Sequence, residues 1–314
     1  MVGILFSLFP LRPAEVHFGQ STPILRDFHA MFASIAASEG ESHRVIRIQP
    51  RRGLRVLDFR SLWEYRELLY FFCWRDIKVR YKQTALGALW ALLQPFLTML
   101  IFSVIFGRFA KVPSEGVPYP IFAYCGLLPW QLFSFALSES SNSLVGNAHL
   151  ITKVYFPRLL VPVAGLMAGL VDFAIAFVLL IAMMFYYRLP LHASVLVVPA
   201  LLLFAIVTSL GVGLWLSALS VKYRDVRHLL PFITQFWLYA TPVAYPSSLI
   251  PHKWRFLMGL NPMSGVVEGF RWALLGTAQV DFRLMALSIV SVLVLLAGGL
   301  IYFDRMENTF ADLV

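Results

Sequence analysis

Six long apolar stretches between Leu86 and Phe303 leave almost no room for a soluble domain and commit this chain to a bilayer. They run over Leu86 to Gly107, Pro118 to Leu144, Leu160 to Tyr187, Val195 to Leu219, Leu229 to Tyr245 and Leu284 to Phe303. Twenty helical residues rise about 30 Å, the depth of a hydrocarbon core. A backbone amide left unpaired in lipid is costly, so only helices or closed barrels cross, and these runs lack the alternation of a barrel strand. The expected fold is all-α and integral to the membrane, with six transmembrane helices. A content of 59% hydrophobic and 14% charged residues excludes an ordinary soluble domain and a disordered one alike.

Catalytic and metal-binding signatures are missing from the sequence. No G-x-x-x-x-G-K-[ST] loop is present to cradle phosphates, and neither H-E-x-x-H nor G-x-S-x-G occurs. The seven histidines are never closer than twelve residues, which excludes helical i, i+4 metal pairs though not ligands drawn from separate helices. Cys73 and Cys125 cannot build a disulfide framework and read as small buried apolar residues. The net charge of +9 does not point to nucleic acid, because the cations gather at helix ends. With the N-terminus inside, 19 of the 26 Lys and Arg residues fall on the cytoplasmic side, so both termini are expected there.

Residues 1–55 are a different material. Their prolines and the cluster Arg44, Arg47, Arg51, Arg52 and Arg55 suggest a mobile cytoplasmic arm, either touching anionic headgroups or simply flanking the membrane. Residues 56–83 hold an expected amphipathic interface helix. Leu62, Trp63, Leu69, Tyr70, Cys73, Trp74, Ile77 and Tyr81 form its apolar stripe, with Arg66 and Arg80 as misfits on it. Residues 84–314 form the membrane domain.

Two carboxylates interrupt the spans. Asp172 must face protein or carry a proton, since an ionised Asp at mid-depth costs about 2.5–3.5 kcal/mol, whereas Glu139 reads as a wetted helix-end residue. Beyond the fifth stretch, Pro246 to Asp281 is too polar to cross and too apolar for a free loop. Two short helices dipping into the outer leaflet fit it, with Asn261-Pro262 starting the second and Glu268 pairing with Arg271 one turn on. Glycines 165, 169, 211 and 213 suit close helix packing.

Certain strings resemble a known family. The run Trp74-Arg75-Asp76-Ile77-Lys78-Val79-Arg80-Tyr81-Lys82-Gln83-Thr84, continuing to Leu86-Gly87, Trp90 and Gln94-Pro95, is similar to the approach to the first span of ABC-2 type polysaccharide exporter permeases. These are the membrane subunits of O-antigen, teichoic acid and capsule transporters. Gly126-Leu127-Leu128-Pro129-Trp130, Lys153-Val154-Tyr155-Phe156-Pro157-Arg158, Tyr223-Arg224-Asp225, Asn261-Pro262-Met263 and Glu268-Gly269-Phe270-Arg271 follow in the family's order. The resemblance covers about Leu62 to the C-terminus.

The resemblance implies a homodimer around a channel in the bacterial inner membrane, worked by two copies of a separate ABC ATPase that binds ATP and Mg. This chain would carry no cofactor and hydrolyse nothing. Lipid-linked polysaccharide would be the cargo, with membrane lipids around it and no nucleic acid. Lys153, Tyr155, Phe156, Pro157 and Arg158 would couple to the ATPase, joined by Tyr223, Arg224 and Asp225. Trp90, Phe102, Phe106, Phe236, Tyr239 and Tyr245 are the channel-lining candidates. Trp254, Asn261, Pro262, Glu268, Arg271 and Trp272 would belong to an outer gate in a re-entrant pair. An ABC-2 exporter of small hydrophobic drugs shares this architecture, and a membrane-embedded glycosyl or acyl transferase, with Asp172 as its acid, is the alternative from another class.

Overall fold

The computed structural model describes residues 63–82, 87, 89–190, 192–277, 281–307 and 309–310. The expected arm over residues 1–55 lies outside them. The described residues are helical with no strand. Helix α1 spans Arg66–Lys82, α2 Leu89–Phe102 with a π-helical continuation Ser103–Phe109, and α3 Tyr119–Gly146. A short α4, Ala148–Lys153, leads to α5, Leu160–Tyr186. A 3-10 turn Ala193–Val197 opens α6, Val198–Lys222, followed by α7, Asp225–Ala240. Then come α8, His252–Leu260, α9, Pro262–Leu275, and α10, Phe282–Glu307.

Five helical segments are long and apolar enough to cross a membrane: Leu89–Phe109, Tyr119–Gly146, Leu160–Tyr186, Ala193–Lys222 and Phe282–Glu307. The fifth expected crossing differs. Its helix α7 has 16 residues, about 24 Å of rise, and starts four residues before the apolar run. Pro242 and Pro246 break the helix beyond Ala240, so the apolar run continues as irregular chain.

Helix α3 lies at the centre of the described membrane helices and is buried at every residue from Ile121 to Trp130. It packs on α5 and α6, while α6 packs on α10 and α9 packs on α3 and α6. The glycines do what their spacing suggested. A Cβ on Gly169 would meet Phe135 at 2.6 Å, and one on Gly213 would meet Ser140 at 2.5 Å. A second, smaller core gathers Phe72, Leu144, Ile151, Phe156, Leu160, Leu214, Phe303 and Phe310 around the α3 to α5 connection.

The apolar face of α1 is not the expected stripe. Trp63, Tyr70 and Trp74 are exposed, and Phe72, which lay off the stripe, is 2% exposed. Helix α1 runs alongside α5 in the same direction: the Cys73 thiol meets the Ala164 carbonyl, and two turns later Arg80 and Tyr81 meet Asp172. Contact with α5 and the α4 connection selects the buried face. A ring on Phe72 fits edge-on against Phe156, with centroids 5.7 Å apart, and a hydrophobic stripe computed along one isolated helix has no knowledge of that partner.

Candidate functional site

Between α2, α3, α5 and α7 lies a recess of about 700 Å³. Three of the helices around it carry an internal proline, Pro95 in α2, Pro129 in α3 and Pro231 in α7. Proline removes a backbone donor and leaves the carbonyl four residues back without its helical partner. For Pro95 that carbonyl is on Ala91, which lines the recess. Gly87, with φ +47°, turns the chain in the left-handed region between α1 and α2, so that Trp90 and Gln94 enter the recess from one side.

The lining mixes rings with neutral polar groups. Trp90, Trp130 and Tyr239 present aromatic faces, while Gln94, Thr98, Gln131, Ser134, Thr234 and Gln235 supply amides and hydroxyls. Among the described residues around it, Arg80 and Asp172 are the one cation and the one acid. They are paired at 2.5 Å, with Arg80 also lying over the Phe135 ring at 4.2 Å. The Tyr81 hydroxyl donates to the other oxygen of Asp172. Burial, and then this bond to the carboxylate, push the Tyr81 phenol well up, which keeps it a proton donor. Asp172 sits twelve residues into α5, about 18 Å along it. Its charge is thus balanced and doubly hydrogen-bonded at a depth where an unpaired carboxylate is expensive.

Not all expected channel residues converge. Trp90, Phe102 and Tyr239 line the recess. Phe106 stacks edge-on against Phe102, with centroids 5.4 Å apart, one turn further along. Phe236 and Tyr245 line a separate groove of about 500 Å³ with Trp237, Trp254, Leu257 and Asn261. Helix α7 divides the two spaces, because Thr234, Gln235, Leu238 and Tyr239 share the face towards the recess and Ile233, Phe236, Trp237 and Ala240 the face towards the groove. Arg80, Gln94, Trp130 and Gln131 also line the recess, outside the expected channel set, and with Asp172 bring α3 and α5 into it. The one trace of the ion pair in the sequence was Arg80, a misfit on the apolar stripe, together with Asp172, a charge inside an apolar run.

The α3 to α5 connection splits its aromatic pair. Tyr155 is 80% exposed, whereas Phe156 is buried against Phe72. Lys153 is exposed and Pro157 half-buried. The Arg158 backbone N–H donates to a Glu307 carboxylate oxygen at 3.2 Å, and its guanidinium lies 6.0 Å from the Phe310 ring. Phe156 and Arg158 thus tie the connection to the molecule, leaving Lys153 and Tyr155 to face outward. Tyr223, Arg224 and Asp225 are exposed where α6 gives way to α7, with the Lys222 ammonium 5.2 Å from the Tyr223 ring. Neither Arg224 nor Asp225 is ion-paired with α1 among the described residues.

At the other end of α7, Asn261 fastens two helices. Its side-chain oxygen caps α9 by accepting from the Met263 N–H at 3.2 Å and also accepts from the Trp237 indole at 2.9 Å. Its amide donates to the Thr241 hydroxyl at 3.0 Å and the Ala240 carbonyl at 3.3 Å. Pro262 occupies the first position of α9, where its missing N–H is no loss. Trp254 is exposed on α8, and Trp272 is half-buried against the main core. Arg271 corrects the sequence reading. It is 1% exposed and donates to backbone carbonyls, and no ion pair joins it to Glu268. The side chains are one turn apart, yet the guanidinium turns towards the carbonyls of Pro242, Val243 and Tyr245, which lack a helical partner.

Residues 67–275 match the family model described as ABC-2 type transporter. The chain is 32% identical over 258 residues to the O-antigen export system permease protein RfbA of Myxococcus xanthus, covering 81% of this chain and 97% of that protein. It is 27% identical over 249 residues to the protein of the same name from Klebsiella pneumoniae, covering 79% and 95%. It is also similar to the polysialic acid transport protein KpsM of Escherichia coli, at 25% identity over 239 residues, covering 74% and 91%.

Proposed function

Because this chain belongs to the ABC-2 type transporter family, we propose that it is the channel subunit of an ATP-driven exporter moving lipid-linked polysaccharide from the cytoplasmic side outward. The observation that carries the cargo class is the lining of the recess, in which aromatic faces alternate with amides and hydroxyls and the single charge pair is internally neutralised. Sugars offer apolar C–H faces that stack on rings, and hydroxyls that exchange water for amide and hydroxyl partners. A hydrophobic drug would gain little from the six neutral polar side chains named above. Likeness to permeases named for O-antigen and polysialic acid supports the same reading.

The full assembly in this reading has two copies of the chain and two of an ABC ATPase that binds ATP and Mg. Six crossings, with α7 as the short fifth, place both termini in the cytoplasm and make α8 and α9 a re-entrant pair at the outer end. ATP binding closes the ATPases against the α3 to α5 connection. Tyr155 is the contact, and Phe156 relays its displacement to Phe72 on α1. Rigid α1 carries that displacement to Arg80 at the recess, eight residues or about 12 Å away.

Two measurements test this. Tyr155→Ala removes an exposed ring, so folding stability should stay within about 0.5 kcal/mol of wild type. ATP-driven polysaccharide export by the complex should fall at least several-fold while ATP turnover persists; export at the wild-type rate refutes the coupling role. Trp90→Ala and Tyr239→Ala each remove one stacking surface, worth about 0.5–1.5 kcal/mol by analogy with aromatic pairs. They should weaken polysaccharide-stimulated ATPase activity several-fold and leave basal ATPase unchanged. Equal competition by polysaccharide and by a hydrophobic drug at wild-type recess sites would overturn the cargo class.

A further inference from the structure

The irregular segment 241–246 is a backbone problem with one principal solution. Thr241, Pro242, Val243, Ala244 and Pro246 are buried, and no helix pairs the carbonyls of residues 242 to 245. In an apolar interior each carbonyl left unpaired is costly. Arg271 takes three of the four. Its Nη1 donates to Pro242 at 2.6 Å and Tyr245 at 3.3 Å, and its Nη2 to Val243 at 2.5 Å. The Tyr119 hydroxyl takes Ala244 at 2.6 Å. Nε of Arg271 donates to the Phe122 carbonyl on α3 at 3.4 Å, and the guanidinium lies 3.6 Å from the Phe122 ring centroid.

Gly126 completes the arrangement. A Cβ there would stand 2.7 Å from Nη2 of Arg271 and 3.2 Å from the Val243 carbonyl. The glycine of the Gly126-Leu127-Leu128-Pro129-Trp130 string and the arginine of the Glu268-Gly269-Phe270-Arg271 string therefore meet at one point, on α3 and α9. Tyr245 in turn donates its hydroxyl to the Tyr239 carbonyl at 2.9 Å, linking the segment to the end of α7.

We propose that Arg271 is the positioning residue of the outer gate: a guanidinium clamp that stands in for the missing helical bonds of residues 242–245 and holds Tyr239 and Tyr245 in the closed arrangement. The inference rests on the reading of this end as the gate of an exporter. It requires a planar group with several donors in fixed directions, which arginine has and lysine lacks. Lysine keeps the charge and loses the geometry.

The test is passive leak of an encapsulated small neutral sugar from proteoliposomes holding the full chain without nucleotide. Arg271→Ala should raise leak several-fold, and millimolar guanidinium should restore tightness where ammonium at the same concentration does not. Arg271→Lys should leak to an intermediate degree, and Gly126→Ala should leak by displacing Nη2. Wild-type tightness of Arg271→Lys and Gly126→Ala, with wild-type elution from a sizing column, overturns the clamp, and these two variants decide the matter if Arg271→Ala fails to fold. Leak needs no cargo, so it is independent of the exporter reading, which fails instead if the wild-type complex moves no polysaccharide.

Discussion

Alanine at Arg80 should cost this protein far more than asparagine at Asp172, although both break the same ion pair. Removing Arg80 leaves a carboxylate about 18 Å along α5 with Tyr81 as its remaining donor among the described residues. Breaking one side of a fully buried pair costs about 3–5 kcal/mol. With Arg80 38% and Asp172 18% exposed, about 2 kcal/mol is the reasonable figure. Asp172→Asn removes the charge along with the pair, leaves a neutral acceptor for Tyr81, and releases Arg80 to the water of the recess. Thermal unfolding in detergent should drop by several degrees for Arg80→Ala and by much less for Asp172→Asn. The double variant should recover most of the loss. Equal loss in the two single variants would show that charge burial is not the deciding term. Export retained in Asp172→Asn also removes the transferase alternative that takes Asp172 as its acid.

Valine at Gly299 should be the most damaging single substitution in the helix packing. A Cβ at Gly299 falls 2.5 Å from the Gly211 carbonyl, and one at Gly211 falls 3.0 Å from the Leu296 nitrogen. The obstacle in both cases is backbone of the neighbouring helix, which cannot rotate aside as a side chain does. Helices α6 and α10 must separate, which stretches the Trp215 indole bond to the Leu295 carbonyl, now 3.1 Å, and the stack of Trp215 on Tyr302 at 4.9 Å. Overpacking alone costs about 1–3 kcal/mol, and the lost indole bond adds about 1 kcal/mol. The yield of monodisperse protein and its melting temperature should both fall sharply. Gly146→Ala is the control: nothing lies within 4 Å of its Cβ position, so it should melt within a degree or two of wild type. A Gly299→Val protein that melts like the control would contradict the backbone contact.

Legibility varied with the range of the interaction that decides each feature. The spans ending at Tyr186, Lys222 and Glu307 were visible within a few residues, because lipid immersion acts on every side chain of a run. Helix α7 was not, since its end depends on prolines and on how the following carbonyls are satisfied. The face of α1 was misread because Phe72 is chosen by Phe156, 84 residues away. Glu268 and Arg271 looked like a local ion pair, and the arginine instead answers a demand from another segment for hydrogen-bond donors.

The order of apolar runs determined an all-helical membrane protein, and the ordered strings pointed to its family. Both depend on properties carried by each residue alone or by near neighbours: transfer free energy, helical period, the conformational limits of glycine and proline. Only the tertiary structure decided which residues share the recess, that Asp172 is neutralised by Arg80, and that Gly126 makes room for Arg271. Those outcomes depend on groups from different helices meeting within a few ångströms, and one-dimensional spacing does not encode which distant partner will arrive.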